Sequence, residues 1–227
     1  TMWNITVVCM LMGGIFMLEV IKGFKRPFLV TIFFLLLCGL GYPLLLTGLS
    51  QLIFPVQANG SIIKVDGTAV GSKFVGQDFS DPRFMKGRPS AVDYNTYTQE
   101  QKDDGTYSGV SSGSKNYSAT NPELAERVEN DMNTFLAANP TIAKEDIPTD
   151  LLTASGSGLD PQISPAAAAV QIPALAQNTG LTEDVLKDIV AHNTQDRFLG
   201  VFGEPTVNVL GVNLQIGQIL GIVDRQD

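Results

Sequence analysis

Two serines among glycines form the segment of this sequence that most resembles a loop with chemistry to perform. The segment TASGSGLDPQISPAAA spans residues 153–168 and places Ser157 between two glycines, ahead of an Asp-Pro pair. A helix is predicted to start at Ser164-Pro165, directly after the loop. Three interpretations follow: Ser157 is a nucleophile, the loop cradles an anion, or the loop is a rigid surface that contacts a partner.

The nucleophile interpretation is the weaker one, because a serine hydrolase needs a histidine base and an acid around a strained turn. Ser157 lacks the outer glycines of the G-x-S-x-G pattern. The single histidine, His192, falls near the end of a predicted helix, where an exposed structural role is ordinary. One histidine, with no cysteine outside the apolar segments, also offers no recognisable set of metal ligands.

A second string, GTAVGSK at residues 67–73, resembles a phosphate-binding loop but has the wrong spacing. Only three residues separate its glycines, and Ser72 stands before Lys73. The surrounding sequence instead predicts a β-hairpin, with Asp66-Gly67 as the turn and a return arm over residues 70–75.

The Ser157 loop itself is built from residues that fix a backbone path. Gly156 and Gly158 permit unusual backbone angles, and Asp160-Pro161 favours a turn. The sequence therefore favours a structural or docking loop, with Gly156, Ser157, Gly158, Asp160 and Pro161 as candidate partner contacts.

A long apolar run predicts that the chain is anchored in a membrane. Residues 28–49 are almost entirely apolar, and 22 helical residues span about 33 Å against a hydrocarbon core of about 30 Å. The run is too long for a secretory signal, whose apolar region has about 7–15 residues, so we expect a retained helix over residues 28–54. Within it, Cys38, Gly41 and Gly48 share one stripe and could form a groove for a partner helix, although glycines that face lipid are an equal alternative.

Basic residues before this run predict the orientation. Residues 22–27 contain Lys22, Lys25 and Arg26, and the next basic residue is Lys64. The positive-inside bias makes residues 22–27 a basic cytoplasmic loop and places residues 55–227 outside the cytoplasm. The apolar segment over residues 1–21 is either a second span, which would make a two-helix hairpin, or an extension, a fused small membrane subunit or an untrue start.

The exported part is acidic. The chain has 15 Lys and Arg residues and 23 Asp and Glu residues, of which three basic residues and one acidic residue precede residue 56. The remainder therefore has 12 basic and 22 acidic residues, a net charge of −10. Nucleic acid and anionic membrane surfaces are poor partners for such a domain. One basic island, Arg83, Lys86 and Arg88, suits an anion or an acidic partner loop, with local pairing to Asp78, Asp81 and Asp93 as the alternative.

Helical and strand signals in the exported part predict an α+β domain. Asn121, Ser164 and Thr182 are expected to cap three helices, and Pro173 is expected to kink or break the second. The alternating apolar residues of PTVNVLGVNLQIGQIL (residues 205–220) predict one or two final strands. The predicted fold class is an α+β exported domain anchored by an N-terminal transmembrane helix.

Five blocks of sequence, taken in order, also resemble one known family. They are GYPLLLTGLSQLIFPVQANGSII, GSKFVGQDFSDPRFMKGRPSA, TNPEL, TASGSGLDPQISPAAA and GEPTVNVLGVNL, between about Gly41 and Leu214. Together they resemble the C subunit of the Kdp-type potassium-transporting P-type ATPase. Two positions depart from the family pattern: Gln162 stands where a histidine is usual, and SGSKN (residues 112–116) replaces a Gly-Gly-Ser-Asn string.

The resemblance implies a non-catalytic accessory subunit in a bacterial cell membrane. Its partners would be a channel-like K⁺-binding subunit, an ATP-hydrolysing subunit and a small membrane subunit. The family is also described as a catalytic chaperone that raises the ATP affinity of the ATPase subunit. By this resemblance the chain holds no cofactor of its own, and the complex handles ATP and K⁺. The alternative from the residues alone is a single-pass, membrane-anchored exported binding protein that acts without partners.

Overall fold

A computed structural model describes residues 23–107 and 109–223. The chain divides into an N-terminal helical part and a domain that begins at Gly60. The apolar segment over residues 1–21, with Cys9, and the basic residue Lys22 lie outside the described residues.

One exposed apolar helix, the anchor helix, runs from Gly23 to Ile53. Its 31 residues span about 46 Å, which exceeds the hydrocarbon core of a bilayer. The helix starts earlier than the sequence predicts, so residues 23–27 are helical and do not form a loop. Pro27 does not prevent this, because it lies near the start of the helix, where a proline is tolerated. A short helix, Pro55–Ala58, follows.

The anchor helix contains one wide turn. Residues Leu37–Gly41 form a π-helical turn, which the amide of Tyr42 closes by donating to the carbonyl of Leu37. The extra residue rotates the helix before the turn relative to the helix after it.

The domain opens with a two-stranded antiparallel hairpin. Strand β1, Ile62–Val65, pairs with β2, Thr68–Ser72, and the pairing shifts between Ile63 and Lys64. Asp66-Gly67 is the turn, as predicted, and the return strand ends at Ser72, before the predicted Val75. The hairpin thus confirms that GTAVGSK is a strand segment and not a helix-opening phosphate loop.

A second sheet has three short antiparallel strands in the order β3-β5-β4. Strand β3 is Gln162–Ile163, β4 is Thr194–Gln195 and β5 is Thr206–Asn208. The helices are Gln99–Asp103, Pro122–Ala138, Pro165–Ala169, Ile172–Thr179, Glu183–His192 and Val209–Ile219, with 3₁₀ turns at Lys144–Asp146 and Thr149–Leu151 and a left-handed turn at Asp93–Asn95.

The three predicted N-caps are confirmed. The side chains of Asn121, Ser164 and Thr182 accept hydrogen bonds from the amides of Glu123, Ala167 and Val185. The predicted interruption of the second helix is also present, but it lies before Pro173: one helix ends at Ala169 and the next starts at Ile172, with Pro173 in its first turn.

The predicted final strands are wrong beyond Asn208. Only Thr206–Asn208 is a strand, and Val209–Ile219 is a helix, which Asn208 caps by accepting from the amide of Gly211 at 2.8 Å. Most residues of this helix are buried, on several sides of its axis. A helix that is buried all round needs apolar residues on every face, and such a run can imitate the alternation of a strand.

The main core gathers residues from most of these helices and from the second sheet. Met85, Leu186, Val207, Val212 and Ile216 are its largest fully buried side chains. A smaller cluster of Val65, Leu210 and Leu214 joins the first hairpin to the final helix. The architecture is therefore the predicted α+β domain, with one helix among the described residues that is long and apolar enough to cross a membrane.

Candidate functional site

The Ser157 loop is first held by turns within itself. The amide of Leu159 donates to Ser157 Oγ at 3.1 Å, and the amide of Gly158 donates to the carbonyl of Ser155 at 3.3 Å. Asp160 Oδ1 accepts from the amide of Gln162 at 3.0 Å. The Ser157 hydroxyl oxygen is thus an acceptor in a local turn, which is a structural use of a serine side chain.

Three segments that are remote in sequence hold the same loop from outside. Ser90 Oγ donates to the carbonyl of Gly158 at 2.7 Å, and the amide of Gly113 donates to the carbonyl of Ser157 at 2.8 Å. The amide of Gly76 donates to the carbonyl of Leu159 at 2.8 Å. Because successive carbonyls are fixed by different parts of the domain, the loop has one well-defined backbone path.

The two glycines of the loop, Gly156 and Gly158, differ in how much space surrounds them. Gly158 has a φ of +67°, and a Cβ there would lie 2.7 Å from Val92 Cγ2. Gly156 has no atom within 4 Å of a Cβ position. Gly76 is also constrained, since its Cβ would lie 2.5 Å from the carbonyl oxygen of Asp160. The buried side of the loop is therefore closely packed, and Gly156 and Ser157 form its exposed side.

Arg88 ties the basic island to the loop. Its Nη1 donates to Asp160 Oδ2 at 3.1 Å, and its Nη2 donates to the carbonyl of Thr153 at 3.3 Å. Tyr94 donates its hydroxyl to the carbonyl of Arg88 at 2.6 Å. Burial, with the charges of Asp160 and Asp78, raises the pKa of Tyr94 to about 12. Arg88 and Asp160, two of the candidate contact residues, are thus brought together as a half-buried ion pair.

The other two residues of the basic island use their charges locally. Arg83 pairs with Asp81 at 2.6 Å, and this hydrogen bond holds the pKa of Asp81 at about 2. Lys86 Nζ donates to the carbonyl of Phe79, and burial lowers its pKa against the charges of Asp78 and Asp81. The local pairing considered from sequence is present for Arg83, whereas Arg88 pairs with Asp160 and not with Asp93.

Two buried amide side chains, which sequence reasoning missed, hold the backbone of the basic island. Asn213 accepts from the amide of Met85 at 2.7 Å and donates to its carbonyl at 2.9 Å. Gln171 accepts from the amide of Lys86 at 2.8 Å and donates to its carbonyl at 3.2 Å. The only sequence signal was a polar residue inside each apolar segment.

At the start of the helix that follows the loop, hydrogen-bond donors are satisfied by oxygen atoms of the protein's own side chains. Ser164 Oγ accepts from the amide of Ala167 at 3.0 Å, and Asp150 accepts from both the amide and the hydroxyl of Ser164. Asp150 brings a negative charge to the positive end of the helix. This arrangement leaves the anion-cradle interpretation without support from the geometry.

Ser157 has no base beside it in the part of the chain that the structure describes. His192 Nδ1 donates to the carbonyl of Asp188 at 2.7 Å and lines a cleft of about 660 Å³, to which Ser157 does not contribute. Among the described residues, no three His, Cys, Asp or Glu side chains lie close enough together to hold a metal ion.

The candidate contacts of the anchor helix are all exposed. Gly48 has no atom within 4 Å of a Cβ position, and Gly41 has only atoms of the preceding turn nearby. Cys38 is a free cysteine inside the wide turn. Because the turn adds a residue between the two halves of the helix, Cys38 is displaced from the stripe that Gly41 and Gly48 share.

Comparison with known proteins gives one consistent result. The family model described as "KdpC: K+-transporting ATPase, c chain" matches residues 24–218. The potassium-transporting ATPase KdpC subunit of Clostridium kluyveri is 65% identical over 205 residues, which cover 90% of this chain and 98% of that protein. The KdpC subunits of Clostridioides difficile and Caldanaerobacter subterraneus are 57% and 48% identical, over 89% and 85% of this chain and 100% and 93% of their own lengths.

Proposed function

The chain belongs to the KdpC family, the c chains of K⁺-transporting ATPases, and from this premise we propose that it is the membrane-anchored, non-catalytic accessory subunit of an ATP-driven K⁺ uptake complex. The observation that carries the proposal is the extent of the match, which includes the anchor helix and nearly the whole domain. Membership of the family makes the chain a subunit of such a complex with an accessory role. We further propose that it performs no chemistry of its own, that it contacts the other subunits of the complex, and that its folded domain faces away from the cytoplasm.

The Ser157 loop supports a role in contact and not in catalysis. Its backbone is fixed by Ser90, Gly113 and Gly76, while Gly156 and Ser157 remain exposed. A surface that is already ordered loses little conformational entropy on binding. We therefore assign the loop to folding or to contact with the channel-like K⁺-binding subunit.

The proposed orientation places the domain outside the cytoplasm. Lys25 and Arg26 stand in the first turns of the anchor helix, and the next basic residue, Lys64, lies beyond its far end. Basic residues are retained on the cytoplasmic side of a first span. The helix itself would contact lipid, the small membrane subunit and the other membrane subunits.

In this arrangement the chain cannot reach cytoplasmic ATP with its folded domain. If it raises the ATP affinity of the ATP-hydrolysing subunit, as the resemblance implies, the effect passes through the anchor helix as a coupling free energy between two conformations. ATP and K⁺ would then be handled by the other subunits, and this chain would hold no cofactor.

Copurification from native bacterial membranes tests the proposal. The tagged chain should bring down a channel-like subunit and an ATP-hydrolysing subunit, and Gly41→Leu with Gly48→Leu should weaken that recovery because both fill the proposed groove. Gly39→Leu is the matched control, since Gly39 lies about half a turn from Gly41 and is also surrounded by open space.

Two outcomes would contradict the proposal in different ways. Recovery of the chain without large membrane partners would favour the exported binding protein that acts alone. Full recovery of partners with both leucines present would keep the subunit assignment and remove the groove.

A further inference from the structure

The loop that connects β4 to β5 exposes an unusual concentration of large apolar side chains. Phe198, Leu199, Val201 and Phe202, here called the apolar loop, are 69%, 76%, 72% and 63% exposed. The core of the domain takes none of these side chains. Scattered exposed apolar residues are normal, but a contiguous group on one tip indicates a contact with an apolar surface or phase.

The backbone of the apolar loop satisfies most of its own hydrogen-bond donors. Phe198 and Phe202 exchange amide-to-carbonyl hydrogen bonds of 2.8 and 3.0 Å, so the tip is a narrow hairpin. The amides of Gly200 and Val201 donate to the carbonyls of Arg197 and Phe198 at 3.0 and 3.2 Å. Such closure matters most where no water is available to replace the missing partners.

Leu199 lies at a position of the turn where another residue type would have less backbone strain. Its φ is +53°, in the left-handed region, where glycine or asparagine is preferred and a bulky side chain is strained. Neither core packing nor turn geometry therefore accounts for a leucine here. An exposed apolar side chain at a strained position indicates a use outside the fold.

The polar residues of the segment lie below the tip and not on it. Arg197 and Glu204 form an ion pair of 2.6 Å at the base of the hairpin, and only apolar residues and glycine stand between Phe198 and Gly203. An interface between two proteins usually mixes polar and apolar groups, with hydrogen bonds across it. An apolar tip above a charged collar is the pattern expected where an apolar phase meets water.

The proposed anchor keeps the start of the domain close to such a phase. Residues 54–61 are all that separate the end of the anchor helix from strand β1, and eight extended residues span at most about 29 Å. We infer that the apolar loop inserts into the acyl-chain boundary of the leaflet that faces the folded domain, as a second membrane contact. This inference rests on the proposed anchoring but not on the identity of the partner subunits.

The lipid that suits this contact is neutral or zwitterionic. The residues after position 55 carry a net charge of −10, so an anionic surface would repel the domain. Insertion would depend on the apolar side chains alone and would be insensitive to salt in neutral lipid.

The test reads the depth of the loop and not membrane binding, since the anchor helix already holds the chain on vesicles. The full chain with Trp3→Phe and Phe198→Trp is reconstituted in phosphatidylcholine vesicles, some of which carry bromine on the acyl chains. We expect blue-shifted tryptophan emission and at least two-fold quenching by the brominated lipid. Val110→Trp with Trp3→Phe, and with Phe198 unchanged, is the control, because Val110 is 83% exposed in a polar segment. This variant should show neither effect.

Leu199→Asn with Val201→Asn completes the test. Both side chains point to solvent and asparagine tolerates the left-handed region, so the fold should persist while the quenching at Phe198→Trp is lost. Quenching no greater than at Val110→Trp would overturn the inference. Protection of the reporter only when the other ATPase subunits are reconstituted with the chain would also overturn it, in favour of a protein contact. Failure of copurification alone would leave the lipid contact standing.

Discussion

Asn213 forms a pair of hydrogen bonds with the backbone of Met85, 128 residues away in the chain. Asn213 is 2% exposed and Met85 is fully buried, so both polar groups of this peptide segment depend on one side chain. The pair joins the final helix to the segment that contains Arg83, Lys86 and Arg88. The position of the basic island, and through Arg88 that of the Ser157 loop, is therefore set from inside the core.

Replacement of Asn213 by alanine should be among the most destabilising single changes in the domain. It leaves a buried amide and a buried carbonyl without partners, at a cost of about 2–4 kcal/mol in the free energy of unfolding. Urea unfolding of the purified chain in detergent, followed by circular dichroism, measures the loss. Gln218→Ala on the same helix is the control and should change the value by less than about 0.5 kcal/mol. Equal effects of the two substitutions would contradict this role for Asn213.

Gly158 and Gly156 should respond differently to the same substitution. Gly158→Ala places a Cβ against Val92 at a φ of +67°, and we expect a loss of about 1–3 kcal/mol in unfolding free energy. Gly156→Ala meets open space and should be nearly neutral. Thermal unfolding of both variants makes the comparison. A Gly156→Ala variant as unstable as Gly158→Ala would show that the exposed side of the loop also carries a constraint.

Tyr94 should make the stability of the domain fall at high pH. The unfolded chain loses the phenol proton near pH 10, whereas burial holds the pKa of the folded group at about 12. The contribution is therefore complete below pH 10 and is lost as pH rises through about 12. Tyr94→Phe should cost about 1 kcal/mol near neutral pH, from its hydrogen bond to Arg88, and its disadvantage should shrink above pH 10. A constant difference between the two proteins across that range would show that Tyr94 is not protected.

Ser157→Ala should leave K⁺-stimulated ATP hydrolysis of the assembled complex within a few-fold of the unmodified protein. The hydroxyl accepts one hydrogen bond in an exposed turn, and no histidine is placed to activate it among the described residues. Activity is measured on complex purified through this chain, so that assembly and turnover are separated. Loss of turnover in a complex that still assembles would argue for chemistry at Ser157.

Local signals in the sequence predicted much of the fold because they act within a few residues. Asn121 and Thr182 each place an oxygen beside the amides that open a helix, and Pro173 lies in the first turn of a helix, where a missing backbone donor costs nothing. The apolar length of the anchor helix is likewise visible without tertiary structure. Such features need no knowledge of what packs against them.

The features that the sequence did not predict depend on distant partners. The pairings of Asn213 with Met85 and of Arg88 with Asp160 join segments 128 and 72 residues apart, and nothing local distinguishes these side chains. The sequence predicts strands over the helix Val209–Ile219 because most of this helix is buried, which removes the polar face that marks most helices. Tertiary burial, and not local propensity, decides that segment.

In the proposed arrangement, the folded domain and cytoplasmic ATP lie on opposite sides of the membrane. Lys102→Cys, in the exposed helix Gln99–Asp103, can be tested in a background of Cys9→Ala and Cys38→Ala, with a membrane-impermeant thiol reagent on intact cells. Gly23→Cys, at the opposite end of the anchor helix, is the matched control. The account predicts that Lys102→Cys is labelled in intact cells and Gly23→Cys only after lysis, and the reverse pattern would contradict it.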